Sequence, residues 1–253
     1  MKTLFPSSLL LAILVFFSSC EEDMVKTFEK KAKLSVSLES DANPASLNDT
    51  VEFTADYRLY LTTFKAYLSN ITLIEEGGRE VLLRDVALVS LDRDQTSSFS
   101  VNLPSGKFTK VRMGIGLDAD QNASDPNTFP NNNPLAAYQG MYWSMVKYRF
   151  VVLEGLAISK KDTVNIPFAY HTGTDPLYQV KTFDTDISSS SSALGYNLNF
   201  SIDLNILFDG PGGKIDIPTQ SFTHSEGPSL VVAGIFMENL KAAIQLNTST
   251  TLD

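Results

Sequence analysis

Between Tyr196 and Phe208 lies the clearest alternating run of the chain. Leu198, Phe200, Ile202, Leu204 and Ile206 fall on one side, and Asn197, Asn199, Ser201, Asp203 and Asn205 on the other. Extended backbone points successive side chains to opposite faces, so this pattern makes one dry and one wet surface; on a helix it would be scattered around the axis. The same period recurs elsewhere. Leu34, Val36 and Leu38 alternate with Ser35, Ser37 and Glu39, and Val111, Met113, Ile115 and Leu117 with Arg112, Gly114 and Gly116. Ile71 to Glu75 and Val81 to Leu83 flank Glu76-Gly77-Gly78-Arg79, where glycine supplies the positive φ of a tight hairpin. One wet and one dry face per strand is antiparallel-sheet behaviour. Polar, turn-rich stretches lie at 41–49, 118–134, 188–192 and 209–213, the serine run reading as a flexible loop. From Leu230 the spacing of Val232, Ile235, Phe236, Leu240 and Ile244 changes to 3.6, with Ser229 as N-cap, although Leu230-Val231-Val232 reads equally well as a strand. The expected fold is all-β: an antiparallel β-sandwich with a short C-terminal helix, forming one domain over residues 34–253.

The N-terminus carries an address. Met1-Lys2 is followed by an apolar run from Leu4 to Phe17, then Ser18-Ser19-Cys20 and Glu21-Glu22-Asp23. This resembles a bacterial lipoprotein signal, in which residues 1–19 are removed and Cys20 is lipidated. The apolar core is too short to span a bilayer stably, as a cleaved signal requires; a transmembrane anchor is the alternative. Residues 20–33 are charged and read as the lipidated cysteine and a flexible tether. The expected location is the outer membrane of a Gram-negative cell, with the domain periplasmic or surface-exposed. Glu21-Glu22-Asp23 resembles the surface-export signals of some such lipoproteins.

Composition excludes several chemistries. After removal of residues 1–19 the chain keeps 19 basic and 29 acidic residues, a net charge of −10. That surface repels phosphate backbones, so no nucleic acid is expected, and it leaves acyl chains as the link to the membrane. With Cys20 taken up by lipidation no other cysteine remains, which removes disulfides, thiolate metal sites and cysteine nucleophiles together. There is no nucleophile elbow, no phosphate-cradling glycine loop and no His-Glu-x-x-His helix, and no enzyme is expected.

Several short segments occur in a telling order. They are Lys65-Ala66-Tyr67-Leu68-Ser69-Asn70-Ile71, Pro104-Ser105-Gly106-Lys107-Phe108, Met113-Gly114-Ile115-Gly116-Leu117-Asp118, and Gly140-Met141-Tyr142-Trp143-Ser144-Met145 with Tyr148. Leu153-Glu154-Gly155 and Phe168-Ala169-Tyr170-His171-Thr172-Gly173 follow, with His224 and Asn239 near the end. Together they resemble the MbnP family, exported copper-binding proteins associated with methanobactin uptake and widespread as lipoproteins. The resemblance implies copper held by histidine, with help from a tryptophan that a di-haem partner enzyme oxidises to kynurenine. Trp143, the single tryptophan, stands in the matching segment. His224 is the implied imidazole and His171 the alternative. Some relatives carry a histidine two residues after the tryptophan, where this chain has Met145. A thioether suits Cu(I), so Met145 either substitutes as a soft ligand or marks a lost site.

Read without the resemblance, each residue has a plainer role. His224 sits in polar Thr-His-Ser-Glu-Gly-Pro, where imidazoles are usually solvated. His171 fits a structural histidine bonded to a neighbouring strand, and Trp143 an aromatic cluster with sulfur contacts. A second metal candidate is a calcium loop built on Asp118, Asp120, Asn122 and Asp125. An EF-hand is excluded there, because Ala123 stands where glycine is required and Phe129 where the bidentate glutamate belongs. The acidic surface and the many Asn and Ser residues also suit a non-metal interaction module, such as an adhesin or glycan-binding sandwich.

Overall fold

The structure is a computed structural model describing residues 30–91 and 96–251. The signal, Cys20 and most of the tether lie outside the described residues. In chain order come β1 (Lys31–Ser40), β2 (Asn43–Ala45), β3 (Thr50–Glu52), β4 (Tyr57–Glu75), β5 (Glu80–Leu91), β6 (Thr96–Asn102) and β7 (Lys107–Ile115). A short helix α1 (Ala119–Asn122) is followed by β8 (Tyr142–Trp143), β9 (Lys147–Ser159), β10 (Asn165–Gly173) and β11 (Gln179–Ser188). β12 (Gly195–Asp203) leads into α2 (Leu204–Phe208) and a small ribbon of β13 (Asp209–Gly210) and β14 (Gly213–Lys214). The described chain closes with β15 (Phe222–Thr223), α3 (Leu230–Ala243) and β16 (Ile244–Thr251).

Two sheets face each other. One has five strands, ordered β16-β12-β1-β2 with β6 also on β1; the other has nine, with β11-β7-β4-β9-β10-β15 as its spine. Alternate residues of β1 (Ala32, Leu34, Val36, Leu38) and β12 (Tyr196, Leu198, Phe200, Ile202) are buried. They meet the buried row Phe64, Ala66 and Leu68 of β4 and Ile115 of β7, and Phe183 on β11 packs edge-on against Phe200 at 5.5 Å. The sandwich is as the alternation predicts, but it is not wholly antiparallel. β1 pairs β12 in parallel, Leu34 beside Leu198 and Val36 beside Phe200, and β10 pairs β15 in parallel. Alternation encodes which face a residue takes and is the same for either strand direction.

Three boundaries differ from those read in the sequence. β1 begins at Lys31, so Lys31 to Lys33 are strand paired with β6 and β12 rather than tether. The alternating run ends at Asp203, whose carboxylate accepts a hydrogen bond from the Asn205 amide (2.8 Å) and caps α2, turning Leu204 to Phe208 into helix. At the other end Ile244 leaves α3 and starts β16, a polar edge strand with little periodic signal. Ser229 occupies the N-cap position of α3, yet its hydroxyl donates to the Glu226 carbonyl instead of capping. The Glu76–Arg79 hairpin forms as expected, with Gly78 at φ +85°. The serine run is tied down, because the Tyr196 hydroxyl bonds both the amide and the carbonyl of Ser188.

β4 is re-phased twice. Leu59 and Leu61 point into the core, the register against β9 slips between Leu61 and Thr63, and thereafter Phe64, Ala66 and Leu68 point inward. A second irregularity at Asn70, with φ +49°, restores the first phase for Ile71 and Leu73. The first bulge puts Thr63 on the outer face, opposite Glu154 of β9. No helix among the described residues is long and apolar enough to cross a membrane. Phe200→Ala should test the sandwich contact: Phe200 is 1% exposed, and urea denaturation should show a loss of about 3–5 kcal/mol.

Candidate metal centre

β10 has two working faces. Phe168 and Tyr170 point into the core, where Tyr170 stacks on Phe236 of α3 at 5.3 Å, while His171 points the other way. β15 runs parallel beside β10 with Ala169 against Phe222 and Tyr170 against Thr223, so the next step of the ladder places His224 beside His171. The two imidazoles stack, with ring centroids 5.4 Å apart and planes 23° from parallel. Ser225 locks this juncture. Its hydroxyl donates to the His171 carbonyl (3.1 Å) and accepts from the Gly173 amide (3.0 Å), and its own φ is +61°.

Trp143 arrives from a third element. β8 folds back on the start of β9, pairing Trp143 with Lys147, and the Val146 amide closes the turn on the Trp143 carbonyl (3.2 Å). The indole stands edge-on to both imidazoles, 5.0 Å from His224 and 6.4 Å from His171. Gly173 makes this approach possible. A Cβ there would lie 2.7 Å from the Tyr148 carbonyl oxygen and 3.1 Å from a Val146 methyl, so the end of β10 passes the β8–β9 hairpin only as glycine.

Glu154 completes the group. Its Oε1 lies 2.8 Å from His171 Nε2, and its Oε2 accepts from the Thr63 hydroxyl at 3.1 Å. Burial pushes the His171 imidazole below its ordinary value; the Glu154 hydrogen bond opposes this, and the positive charge of Arg149 adds to the lowering. His171 is therefore neutral at pH 7, with one ring nitrogen unprotonated and able to bind a cation.

The structure thus gathers three of the four residues proposed as copper ligands: Trp143, His171 and His224. Met145 lies in the β8–β9 turn, half exposed. His224 is partly buried and stacked rather than free in a polar loop. Among the described residues no three His, Cys, Asp or Glu side chains are grouped to hold a metal ion. The calcium loop is not assembled. Asp118 caps α1 through the Gln121 amide (2.9 Å) and accepts from Asn70 (2.8 Å), while Asp125 caps the following turn through the Asn127 amide (2.9 Å). Asn122 is buried, accepting from the Tyr148 amide (3.1 Å) and donating to Asp175 (2.7 Å), and Asp120 faces solvent. Oxygens that spacing places in one loop point in different directions, because the loop is helical at Ala119–Asn122.

The MbnP family model matches residues 29–227, more than half of the chain, and spans every residue of this centre. The chain belongs to the MbnP family. Among solved structures it is similar to MbnP from Methylosinus trichosporium, with 13% sequence identity, a TM-score of 0.47, and coverage of 88% of this chain and 100% of that one. No curated protein matches it in sequence. Glu154 stands in a segment that carries the family resemblance, yet nothing local marks it: one carboxylate on the outer face of a strand reads as solvated until His171 is seen beside it.

Two outcomes follow. The His171 ring protons should titrate in NMR with a midpoint below the ordinary 6.5. Because the unfolded chain then takes up the proton more readily, stability should be full above that ordinary value and fall as pH drops toward the folded-state midpoint. Gly173→Ala should force the hairpin away, costing about 1–3 kcal/mol by chemical denaturation and changing Trp143 fluorescence.

Proposed function

We propose that this protein is an exported, lipid-anchored copper-binding protein that scavenges, delivers or senses the metal and is not itself an enzyme. The observation that carries this reading is the convergence of both histidines and the sole tryptophan from β8, β10 and the end of β15 onto one patch. Imidazole suits copper, and a neutral His171 offers a lone pair without first losing a proton. A carboxylate-poor, thiol-free donor set does not suit calcium. Two imidazoles leave the metal short of donors. An aryl amine at position 143, produced by oxidation of Trp143 to kynurenine by a di-haem partner enzyme, would supply a third; the Met145 thioether is the other candidate donor. Membership of the MbnP family supports both the metal and the modification. The Cys20 signal supports attachment to the outer membrane by acyl chains, with the domain periplasmic or outside the cell.

Competition titration of Cu(I) into the mature chain should give micromolar or tighter binding that His171→Ala and His224→Ala each abolish. Peptide mass analysis of protein from its own host should show position 143 converted to kynurenine. Absent binding, or binding indifferent to both histidines, would instead favour a non-metal surface module.

A further inference from the structure

We propose that Glu154 is a positioning residue for the metal centre: it holds the His171 ring with the proton on Nε2, so that Nδ1 is the nitrogen presented to the metal. The purpose of this device rests on the copper reading, but the device itself stands on geometry. An ionised carboxylate can only accept hydrogen bonds, so the 2.8 Å contact between Oε1 and Nε2 requires Nε2–H. In a neutral imidazole the lone pair is then on Nδ1, and among the described residues no hydrogen bond reaches that atom. The carboxylate is itself held, since Oε2 accepts from the Thr63 hydroxyl. A carboxylate behind a ligating imidazole sets its tautomer, restricts its rotation and raises its basicity.

The backbone is arranged to make this contact. Glu154 pairs with Ala169 in the β9–β10 ladder, two residues before His171 on the same face, which brings its carboxylate diagonally under the imidazole. Thr63 reaches the other oxygen only because β4 is bulged between Leu61 and Thr63. Without the extra residue, Thr63 would share the inward face of Leu59 and Leu61. Three strands thus contribute one residue each to a Thr63–Glu154–His171 relay that ends at the stacked rings.

The test has an apo and a loaded readout. In nitrogen-15-labelled apo protein, His171 should show a slowly exchanging Nε2–H resonance. Glu154→Ala should abolish it and Glu154→Gln, which keeps an acceptor oxygen, should retain it. In Cu(I)-loaded protein the metal should sit on Nδ1. Glu154→Ala should weaken Cu(I) binding by about tenfold or more, and Glu154→Gln should recover most of that loss. Thr63→Val, which removes only the hydroxyl behind the carboxylate, should weaken binding in the same direction by less; it carries the test if Glu154→Ala does not fold. A proton on Nδ1 in the apo protein, metal on Nε2, or unchanged Cu(I) affinity in the Ala and Val variants would overturn the proposal. If the wild-type chain binds no Cu(I), the copper reading fails, and the fate of the Nε2–H resonance still decides whether Glu154 positions the ring.

Discussion

β4 runs through the middle of the larger sheet and hydrogen-bonds in turn with β3, β5, β7 and β9. Everything that builds the outer face depends on it. A strand this long, buried against a second sheet, would ordinarily send every other side chain into the core for its whole length. The irregularities after Leu61 and at Asn70 break that phase. Between them, Thr63, Lys65 and Tyr67 take the outer face, where Thr63 supports Glu154 and the Tyr67 hydroxyl holds the Pro134 carbonyl at 2.9 Å. The segment between α1 and β8 is thereby fastened over the outer face, with the Tyr148 hydroxyl on the Leu135 carbonyl as a second tie.

Order on the inner face of β10 accounts for order on its outer face. Tyr170 is fully buried between Phe236 and Phe208, and its hydroxyl donates to the Gln220 carbonyl (2.8 Å) at the approach to β15. The same strand therefore anchors the start of β15 from the core side and presents His171 beside His224 on the other. Thr172, the next inward residue, places its hydroxyl against Met237 of α3. Packing of α3 and stacking of the imidazoles are opposite sides of one element, so loosening the helix would disturb the ring pair.

Much of the fold was legible. Even-numbered apolar residues of β1 and β12 are core residues, the glycine hairpin is where its chemistry places it, and a C-terminal helix begins at Leu230. What misled were places where a capping or pairing interaction overrode the local pattern. Asp203 stops a run whose alternation continues, and β16 is a strand because β12 needs a partner on that edge, not because its polar sequence alternates. At the site, residue type and family resemblance together named Trp143, His171 and His224, while Glu154 and Thr63 carried no local mark.

By itself the sequence determined which faces are dry, that Cys20 is the chain's single thiol, and which scarce residues could meet a metal. Tertiary structure alone decided that β1 and β12 run parallel, that the acidic loop folds into caps rather than a cage, and that Trp143, His171 and His224 share one patch with Glu154 behind it. Periodicity reports the side of a strand on which a residue stands, and composition reports the chemistry it can do. Neither reports which strand lies alongside or in what register, and a cluster drawn from three separate elements forms only once those registers are set.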